Sequence, residues 1–394
     1  MPPVSIPIWR HLPRPFWRCE VPVLSDSATS LDAVLARAAC APLALSEDDL
    51  ARLLNVETPQ ELEALFAAAY ALKLKCCGKG VAVRGLVEAG NICAKDCLYC
   101  GIRRSNAAVS RYSLAADEIV AAAEEAKAFG YASLVIQSGE IESEAHTRFI
   151  EEVLQRIAPL DLGVTLSLGE QTEGTYARWR AAGATRYLLR IETSNPNLYA
   201  RLHPASCSWE RRVECLHALR RTGYQVGTGV MCGLPGQTVD DLAADIRFYG
   251  ELDVDMIGMG PYIPHPDTPL GQVAPALSDE ARLLLGLKMI AATRLYLHDV
   301  NIAAATALQA LAHDGRERGV KAGANVLMPN VTDRKYRRNY RLYANKPCLD
   351  ETAALCRGCL DRRLSAIGEH LLYNQRGDSL HYRGRHCRFG QGLV

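Results

Sequence analysis

Eight short apolar runs, separated by helical patterns, are the feature of this chain that most constrains its fold. They are rich in β-branched residues and lie at residues 81–88, 131–138, 163–168, 186–193, 225–233, 255–263, 301–308 and 324–328. Strands that alternate with helices build parallel sheets. Eight of them favour an α/β fold of the (β/α)8 TIM-barrel type over an open doubly wound sheet. The seventh run is rich in alanine, and a helix is the alternative there.

The segments on either side of this alternation differ from it in composition. Five prolines among the first 15 residues predict an irregular N-terminal extension over residues 1–45. Residues 46–80 carry Ala- and Leu-rich stretches that are typical of helices. We expect the barrel to occupy residues 81–335, followed by a short C-terminal extension over residues 336–394 that contains cysteines.

Length, charge and cysteine content exclude several classes of protein. The chain has 394 residues, of which 48% are hydrophobic, enough for a large core. Its formal net charge of +1 gives no reason to expect a nucleic acid or a membrane as a partner. No apolar run could span a bilayer, and the first 20 residues lack the apolar core of a secretory signal. The 14 cysteines therefore indicate metal binding in a reducing cytoplasm rather than disulfide bonds.

Three cysteines follow the first apolar run closely. Cys93, Cys97 and Cys100 have the spacing Cys-x3-Cys-x2-Cys. A closed structural zinc site takes four ligands, whereas cysteine thiolates also hold iron–sulfur clusters. A cubane held by only three thiolates leaves one iron open to an outside ligand. We therefore favour an iron–sulfur cluster, and a zinc loop with its fourth ligand elsewhere is the alternative.

Polar side chains alternate with apolar ones near the ends of two predicted strands. Arg190 and Glu192 are two residues apart, so they share one face of a strand, as Thr165 and Ser167 do. Active sites of parallel barrels lie at the carboxyl ends of the strands, and buried charges need partners or a ligand. The pattern predicts a polar ligand in the barrel. An Arg190–Glu192 pair that satisfies itself is the alternative.

The sequence segments around and after the cysteines indicate a family more specifically than the cysteine spacing does. The segments that carry it are CLYCGIRRSN, QSGE, VTLSLGE, RYLLRIET, GLPGQT, PHPDTPL and GANVLMPN. In their order and spacing they resemble the HydE family, the radical S-adenosylmethionine (radical SAM) maturases of [FeFe]-hydrogenase. The resemblance runs from about residue 45 to about residue 365. It implies a barrel of the radical SAM type and an enzyme that cleaves SAM reductively.

The resemblance also implies roles for individual residues. Cys93, Cys97 and Cys100 would hold a [4Fe-4S] cluster, one iron of which is chelated by SAM. The residues that match SAM contacts are Tyr99, Ser138, Gly139, Glu140, Ser167, Arg190, Glu192 and Arg212. Arg211 is the alternative to Arg212, because Cys207 and Ser208 look like the site of a one-residue insertion.

The expected substrate cavity contains Thr165, Thr306, Met328, Tyr340 and Tyr343. A neighbouring threonine of the family is Ala305 here, which puts one polar contact to the substrate in doubt. Met328 and the two tyrosines could equally be core residues.

The reaction and the partners follow from the same resemblance. SAM cleavage gives methionine and a 5′-deoxyadenosyl radical, which in HydE-type enzymes attacks the sulfur of a cysteine-bound iron carbonyl–cyanide species. A HydG-type maturase makes that species, and a HydF-type scaffold receives the product. A ferredoxin- or flavodoxin-like protein is the expected electron donor.

Two other functions remain open at this point. Biotin synthase and methylornithine synthase share the barrel, but Gly227 stands where biotin synthase would offer a cysteine. A non-catalytic iron–sulfur carrier is the other possibility, and it would not need the polar set of Glu140, Arg190 and Glu192.

A second cysteine group, Cys348, Cys356 and Cys359, lies beyond the barrel. Its spacing resembles the auxiliary-cluster motif of some HydE proteins, which implies a [2Fe-2S] or [4Fe-4S] cluster away from the catalytic centre. A zinc site completed by His386 or Cys387 is the alternative. His265, in the segment PHPD, is interpreted as part of a rigid turn at the barrel rim rather than as a general base.

Overall fold

The computed structural model describes residues 30–388, with side chains up to residue 385. Its helices are α1 (Leu31–Cys40), α2 (Glu47–Leu54), α3 (Pro59–Cys77), α4 (Ala116–Ala128), α5 (Glu144–Ile157), α6 (Glu173–Ala181), α7 (Pro196–Leu202), α8 (Trp209–Arg221), α9 (Val239–Glu251), α10 (Asp279–Leu297), α11 (Thr306–Leu311), α12 (Gly315–Lys321), α13 (Arg334–Arg337), α14 (Ala353–Ala366) and α15 (Leu380–Arg388). Its strands are β1 (Gly80–Val83), β2 (Gly85–Gly90), β3 (Ser133–Ser138), β4 (Gly163–Ser167), β5 (Ala184–Leu188), β6 (Gln225–Thr228), β7 (Met231–Cys232), β8 (Met256–Ile257), β9 (Gly260–Pro261), β10 (Asn301–Ile302), β11 (Val326–Leu327) and β12 (His370–Leu372).

A curled sheet of seven parallel strands forms the centre of the molecule, in the order β10-β8-β6-β5-β4-β3-β2. β11 lies between its two edges. The N–H of Ala304, beyond β10, donates to the Val326 carbonyl at 3.0 Å, and the N–H of Leu86 in β2 donates to the Pro329 carbonyl at 2.8 Å. These bonds link the edges through an eighth strand, so the barrel prediction is confirmed.

Several strands are shorter than their apolar runs. β10 covers only two residues of the run at 301–308. Ala303 continues it as a single parallel bridge to Val326, and α11 begins at Thr306. The runs at 225–233 and 255–263 are interrupted where Gly229 meets Gly258. A Cβ atom on Gly229 would lie 2.2 Å from the Gly258 carbonyl oxygen, so the two backbones are in direct contact.

The assignment of residues 31–40 to an irregular extension is wrong. They form α1, in which Ser30 accepts a hydrogen bond from the Ala33 N–H at 3.3 Å. Leu31, Val34 and Ala38 follow helical spacing and pack into the main core. The prolines on which the prediction rested all lie among the first 15 residues, outside this helix. Residues 1–29 and 389–394 of the two terminal extensions lie outside the described residues.

The C-terminal segment closes the amino end of the barrel. Asp378 forms an ion pair with Arg186 at the start of β5, and it accepts a hydrogen bond from Gln225 Nε2 at 2.7 Å. The Gly377 carbonyl accepts from Asn301 Nδ2 at 2.8 Å. The opposite end, where the strands finish, stays free for a site. No helix in the described part of the chain has the length and apolarity needed to cross a membrane.

Candidate active site at the carboxyl end of the barrel

Cys93, Cys97 and Cys100 lie in the loop that follows the carboxyl end of β2. The Glu140 N–H donates to Cys93 Sγ at 3.3 Å, and the Ala94 N–H donates to the Glu140 carbonyl at 2.8 Å, so the loop is tied to the end of β3. Burial raises the pKa of all three thiols, and that of Cys100 reaches about 12. Because the thiolate is the metal ligand, binding of a cluster must release protons here.

The three thiols are neighbours that do not meet at one point. After burial, the charges of Cys100 and Cys93 are among the causes that raise the pKa of Cys97. Within residues 30–385, no group of three or more His, Cys, Asp or Glu side chains is arranged to hold a single metal ion. A cubane binds each thiolate through a different iron, so its ligands surround it. Three soft thiolates on one loop are donors that suit an iron–sulfur cluster.

Gly139 lets the end of β3 contact the cysteine loop directly. A Cβ atom there would lie 2.3 Å from the Ile92 carbonyl oxygen and 2.8 Å from Cys93 Cβ. Its N–H donates to the Gly90 carbonyl at 2.9 Å, and the Ser138 hydroxyl donates to the Gly139 carbonyl at 2.7 Å. Only glycine fits at this position.

Glu140 belongs to a buried row of alternating charges. Lys95 Nζ lies 3.0 Å from the Glu140 carboxylate and 3.3 Å from that of Glu170, to which Arg212 Nε donates at 2.6 Å. Burial raises the pKa of Glu140. Burial also acts on Glu170, but Arg212 and Lys95 hold its pKa below the usual value. Arg212 is thus the buried member of the arginine pair, and Arg211 does not join this row.

Arg190 and Glu192 lie side by side just beyond the end of β5. Arg190 Nη2 is 3.0 Å from Glu192 Oε2, yet the pair leaves hydrogen-bonding capacity unused. Arg190 Nε is buried without a hydrogen-bond partner, and the contact between Nη2 and Oε2 does not have the geometry of a hydrogen bond. Burial raises the pKa of Glu192, which Arg190 and Arg212 oppose. This pair does not satisfy itself, and it can still bind a polar ligand.

Tyr99 lies in an apolar cluster beside the cysteine loop. Its neighbours there are Leu198, Leu202, Met231, Leu234, Tyr262 and Leu270. The Tyr99 hydroxyl is 3.1 Å from His203 Nε2, and His203 Nδ1 is 2.9 Å from the Tyr199 carbonyl oxygen. Burial lowers the pKa of His203 to about 4, so the ring is neutral. Its Nδ1 must then donate to the carbonyl, and its Nε2 accepts from Tyr99.

Among the residues of the expected substrate cavity, Thr165 lies on β4, Thr306 begins α11, and Met328, Tyr340 and Tyr343 follow β11. Thr165 on β4 is buried, and its hydroxyl has no hydrogen-bond partner. Ser167 is in register with Gln137 of β3, which in turn pairs with Glu88 of β2. Glu88 forms an ion pair with Lys346, whose Nζ also donates to the Tyr340 carbonyl at 2.8 Å.

Tyr343 and Met328 differ in their surroundings. The Tyr343 hydroxyl hydrogen-bonds with Thr306. This bond lowers the pKa of Tyr343, but burial is the larger effect and raises it. Met328 packs against Ala82, Ala303 and Val326, as a core residue would. Tyr343 and Thr306 therefore offer polar groups, whereas Met328 offers apolar surface.

The second cysteine group is only partly assembled. The Cys356 thiol hydrogen-bonds with Cys348, which lowers the pKa of Cys348 to about 7. Cys359 lies three residues further along α14 and so on a neighbouring part of the same helix face. The side chains of His386 and Cys387, which the zinc alternative needs, lie outside the described residues.

His265 lies in a turn at the barrel rim, as the sequence suggests. The Asp267 N–H donates to His265 Nδ1 at 3.2 Å, and the Thr268 hydroxyl donates to the His265 carbonyl at 2.8 Å. Its ring packs on Gly101, where a Cβ atom would lie 2.5 Å from His265 Cδ2. His265 thereby supports the cysteine loop from outside the barrel.

Sequence reasoning missed three residues of the site. Lys95 and Glu170 form the charge row described above. Arg111 donates to carbonyl oxygens of the cysteine loop, among them Asn91 at 2.7 Å and Ile102 at 2.8 Å. A single charged residue in a loop gives no pattern, although the position of Lys95 between Cys93 and Cys97 is a signal that could have been used.

Comparisons with known proteins agree with this geometry. Residues 87–249 match the Radical SAM superfamily. The chain is 44% identical over 306 residues to the [FeFe] hydrogenase maturase subunit HydE of Thermotoga maritima, covering 78% of this chain and 86% of that one. It is 28% identical to 3-methylornithine synthase of Methanosarcina acetivorans, over 72% of this chain and 79% of that one.

The crystal structure of a methylornithine synthase shares the fold, with a TM-score of 0.75 and 24% identity over 87% of this chain and 97% of that one. At that level of identity the likeness concerns the fold alone. The identity to the maturase is high and covers most of both proteins, so the chain belongs to the HydE family of radical SAM [FeFe]-hydrogenase maturases.

Proposed function

We propose that this maturase cleaves SAM at a [4Fe-4S] cluster held by Cys93, Cys97 and Cys100. Membership of the radical SAM superfamily implies both the cluster and SAM. One observation carries the assignment to these cysteines. Their loop contacts Gly139 directly, at the barrel end where Arg190 and Glu192 keep buried polar atoms without partners.

The residues around the loop offer a distinct contact to each part of SAM. Arg190 can bind the carboxylate through charge-assisted hydrogen bonds, and Glu192 can accept from an ammonium or a ribose hydroxyl. The backbone of Ser138 and Gly139 is the better acceptor for the amino group, because Lys95 already pairs with the Glu140 carboxylate. Ser167 and Arg212 complete the polar wall, and the apolar cluster around Tyr99 suits the adenine. When bound, the cluster supplies the electron that cleaves SAM to methionine and a 5′-deoxyadenosyl radical.

The substrate of this proposal is a cysteine-bound iron carbonyl–cyanide species, made by a HydG-type maturase and passed on to a HydF-type scaffold. It would bind inside the barrel beside Thr165, Thr306, Met328, Tyr340 and Tyr343. Buried atoms without partners, Thr165 Oγ1 and Glu88 Oε2, support a polar ligand there. A ferredoxin- or flavodoxin-like protein in the cytoplasm would supply the electron.

We further propose that Cys348, Cys356 and Cys359 bind an auxiliary [2Fe-2S] or [4Fe-4S] cluster. The contact between Cys348 and Cys356 supports this, as does the position of Cys359 on the same helix. These cysteines lie on and before α14, and the charged groups that act on Cys348 and Cys356 are Arg316 and Glu351 rather than residues assigned to SAM, which supports a separate cluster.

Anaerobic reconstitution followed by SAM and dithionite tests the proposal. The wild-type protein is expected to release 5′-deoxyadenosine. Cys97→Ser should abolish both this reaction and hydrogenase maturation, because the cluster loses a ligand. Cys356→Ser is the matched control and should leave both largely intact. If protein fully loaded with iron and sulfide releases no 5′-deoxyadenosine, the proposed SAM cleavage is refuted. Equal losses of activity in the two variants would refute the assignment of catalysis to the first cysteine group rather than the second.

Biotin synthase chemistry is the second candidate, and one observation disfavours it. Gly227 on β6 occupies the position where that enzyme offers a cysteine ligand. A Cβ atom on Gly227 would lie 2.7 Å from the Met256 methyl carbon, so the side chain of Met256 lies next to this position.

A further inference from the structure

Helix α9 buries an apolar face that contains one carboxyl group. The buried residues of this helix are Leu242, Ala243, Asp245, Ile246 and Tyr249. Asp245 is 0% exposed, and its Oδ2 has no hydrogen-bond partner. A buried carboxyl with an unsatisfied oxygen destabilises a fold, and an apolar residue would cost less. Packing alone therefore does not explain this aspartate.

Asp245 holds the turn that follows β5. Its Oδ1 accepts a hydrogen bond from the Ser194 N–H at 2.5 Å, and the nearby side chains of Ser194 and Thr193 oppose the rise in its pKa that burial causes. One helical turn earlier, Asp241 Oδ1 accepts from Asn195 Nδ2 at 2.7 Å. Two carboxyls on one face of α9 thus fix residues 193–195.

This turn begins next to a strained residue. Glu192 has a φ of +69°, a left-handed conformation that non-glycine residues keep only where their surroundings hold it. Its N–H donates to the Gly229 carbonyl at 3.0 Å, and its carbonyl accepts from the Met231 N–H at 3.3 Å. Those bonds fix Glu192 against the neighbouring strand, and Ser194, two residues on, is fixed by α9.

We propose that Asp245 is a positioning residue for SAM. By holding the turn at 193–195, it keeps Glu192 in the conformation that places its carboxylate beside Arg190. Asp245 itself lies behind the turn and does not touch the ligand. The inference rests on the proposed role of Arg190 and Glu192 in binding SAM.

Equilibrium dialysis of SAM against the anaerobically reconstituted protein, without reductant, tests this role. Asp245→Ala should raise the Kd for SAM about tenfold, the factor that corresponds to the loss of one good hydrogen bond. Turnover to 5′-deoxyadenosine at saturating SAM should change much less. Asp245→Asn keeps the Oδ1 acceptor and should restore the Kd nearly to the wild-type value. Asp240→Asn, at an exposed position of the same helix, is the control and should change nothing.

Iron content and melting temperature, measured on each variant, separate folding from positioning. Should Asp245→Ala not fold, Asp245→Ser supplies a more conservative variant that keeps a polar group, with the same expected rise in Kd. An unchanged Kd in a folded variant, or an Asn variant as weak as the Ala variant, would overturn the inference. Wild-type protein that neither binds nor cleaves SAM would instead refute the proposed function.

Discussion

One arginine, Arg111, holds the cysteine loop together through hydrogen bonds to its backbone carbonyls. Arg111 donates to the carbonyls of Asn91, Ile102 and Arg103, and also to that of Asn106 at 3.1 Å. A guanidinium has five N–H donors in a rigid plane, so it can bridge carbonyls that lie several residues apart. The loop contains no regular helix or strand, and Arg111 supplies hydrogen bonds that such an element would provide.

Arg111→Lys should weaken the loop's hold on the cluster, because an ammonium cannot reach all of these carbonyls at once. Losing one or two such bonds costs about 1–3 kcal/mol, which predicts roughly tenfold faster loss of iron to a chelator. Iron release from the reconstituted protein is the measurement. Arg104→Lys, in an exposed part of the same loop, is the control. Equal release rates in both variants would contradict this role of Arg111.

Single residues were predictable from the sequence where their chemistry forms a local pattern. The cysteines are close together, and Arg190 and Glu192 share a strand face two residues apart. Glu170 acts through contacts with distant segments, and Arg111 acts through the folded path of its own irregular loop, so no local sequence pattern marks either residue. The strain at Glu192 was likewise hidden, since only the fold sets its φ.

Among the elements, α15 is attached to the barrel largely by charge. His381 Nδ1 lies 3.1 Å from Asp299, its Nε2 lies 2.5 Å from Asp253, and Arg385 Nη2 lies 2.6 Å from Asp255. Both ring nitrogens face carboxylates, so both are protonated. Burial lowers the pKa of His381, but the two carboxylates prevail and raise it to about 9.

This pair of contacts predicts a pH dependence of stability above neutrality. The folded pKa lies above the unfolded value of about 6.5, so the stabilisation is complete below pH 6.5 and is lost as the pH rises through about 9. The urea midpoint of the wild-type protein should therefore fall between pH 6.5 and pH 9. His381→Gln cannot change its charge, and its midpoint should fall less. Parallel curves for the two proteins would exclude His381 as the cause.

Strand positions were predictable from the sequence because apolar β-branched runs are local patterns. Strand lengths were not predictable. The contact of Gly229 with Gly258 ends β6 and β8 early. It involves two segments that are distant in the sequence, so neither segment alone predicts it. β12 was missed because it has only three residues, and α15 because its residues are mostly polar. β12 is stabilised by pairing with β1, and α15 by ion pairs with barrel carboxylates.

Across the whole molecule, a buried ion pair joins the N-terminal helices to the C-terminal segment. Lys73 on α3 pairs with Glu369 just before β12, and both side chains are 0% exposed. The Tyr70 hydroxyl donates to the same carboxylate. Such a pair contributes little net stability, but either charge alone would be left buried without a partner.

Lys73→Met should therefore lower the free energy of unfolding by about 3–5 kcal/mol, whereas the double variant Lys73→Met/Glu369→Leu should lie closer to the wild type. Urea denaturation followed by circular dichroism measures both. Removing the exposed pair of Arg247 and Glu251 is the control, with an expected effect of about 0–1 kcal/mol. A double variant as unstable as the single one would show that the charge left behind is not the cause.

The pairing of β1 affects the order in which the protein can fold during its synthesis on the ribosome. Its residue Ala82 pairs with Val326 in β11, and Val81 pairs with Leu371 in β12, so both partners come late in the chain. Pairings between such distant segments form slowly. Neither partner exists while the ribosome is still making the middle of the protein, yet β1 continues into the strand that carries the cysteine loop. The cysteine loop is therefore attached to an open sheet during most of translation, and the proposed cluster site is complete only once the polypeptide is almost finished.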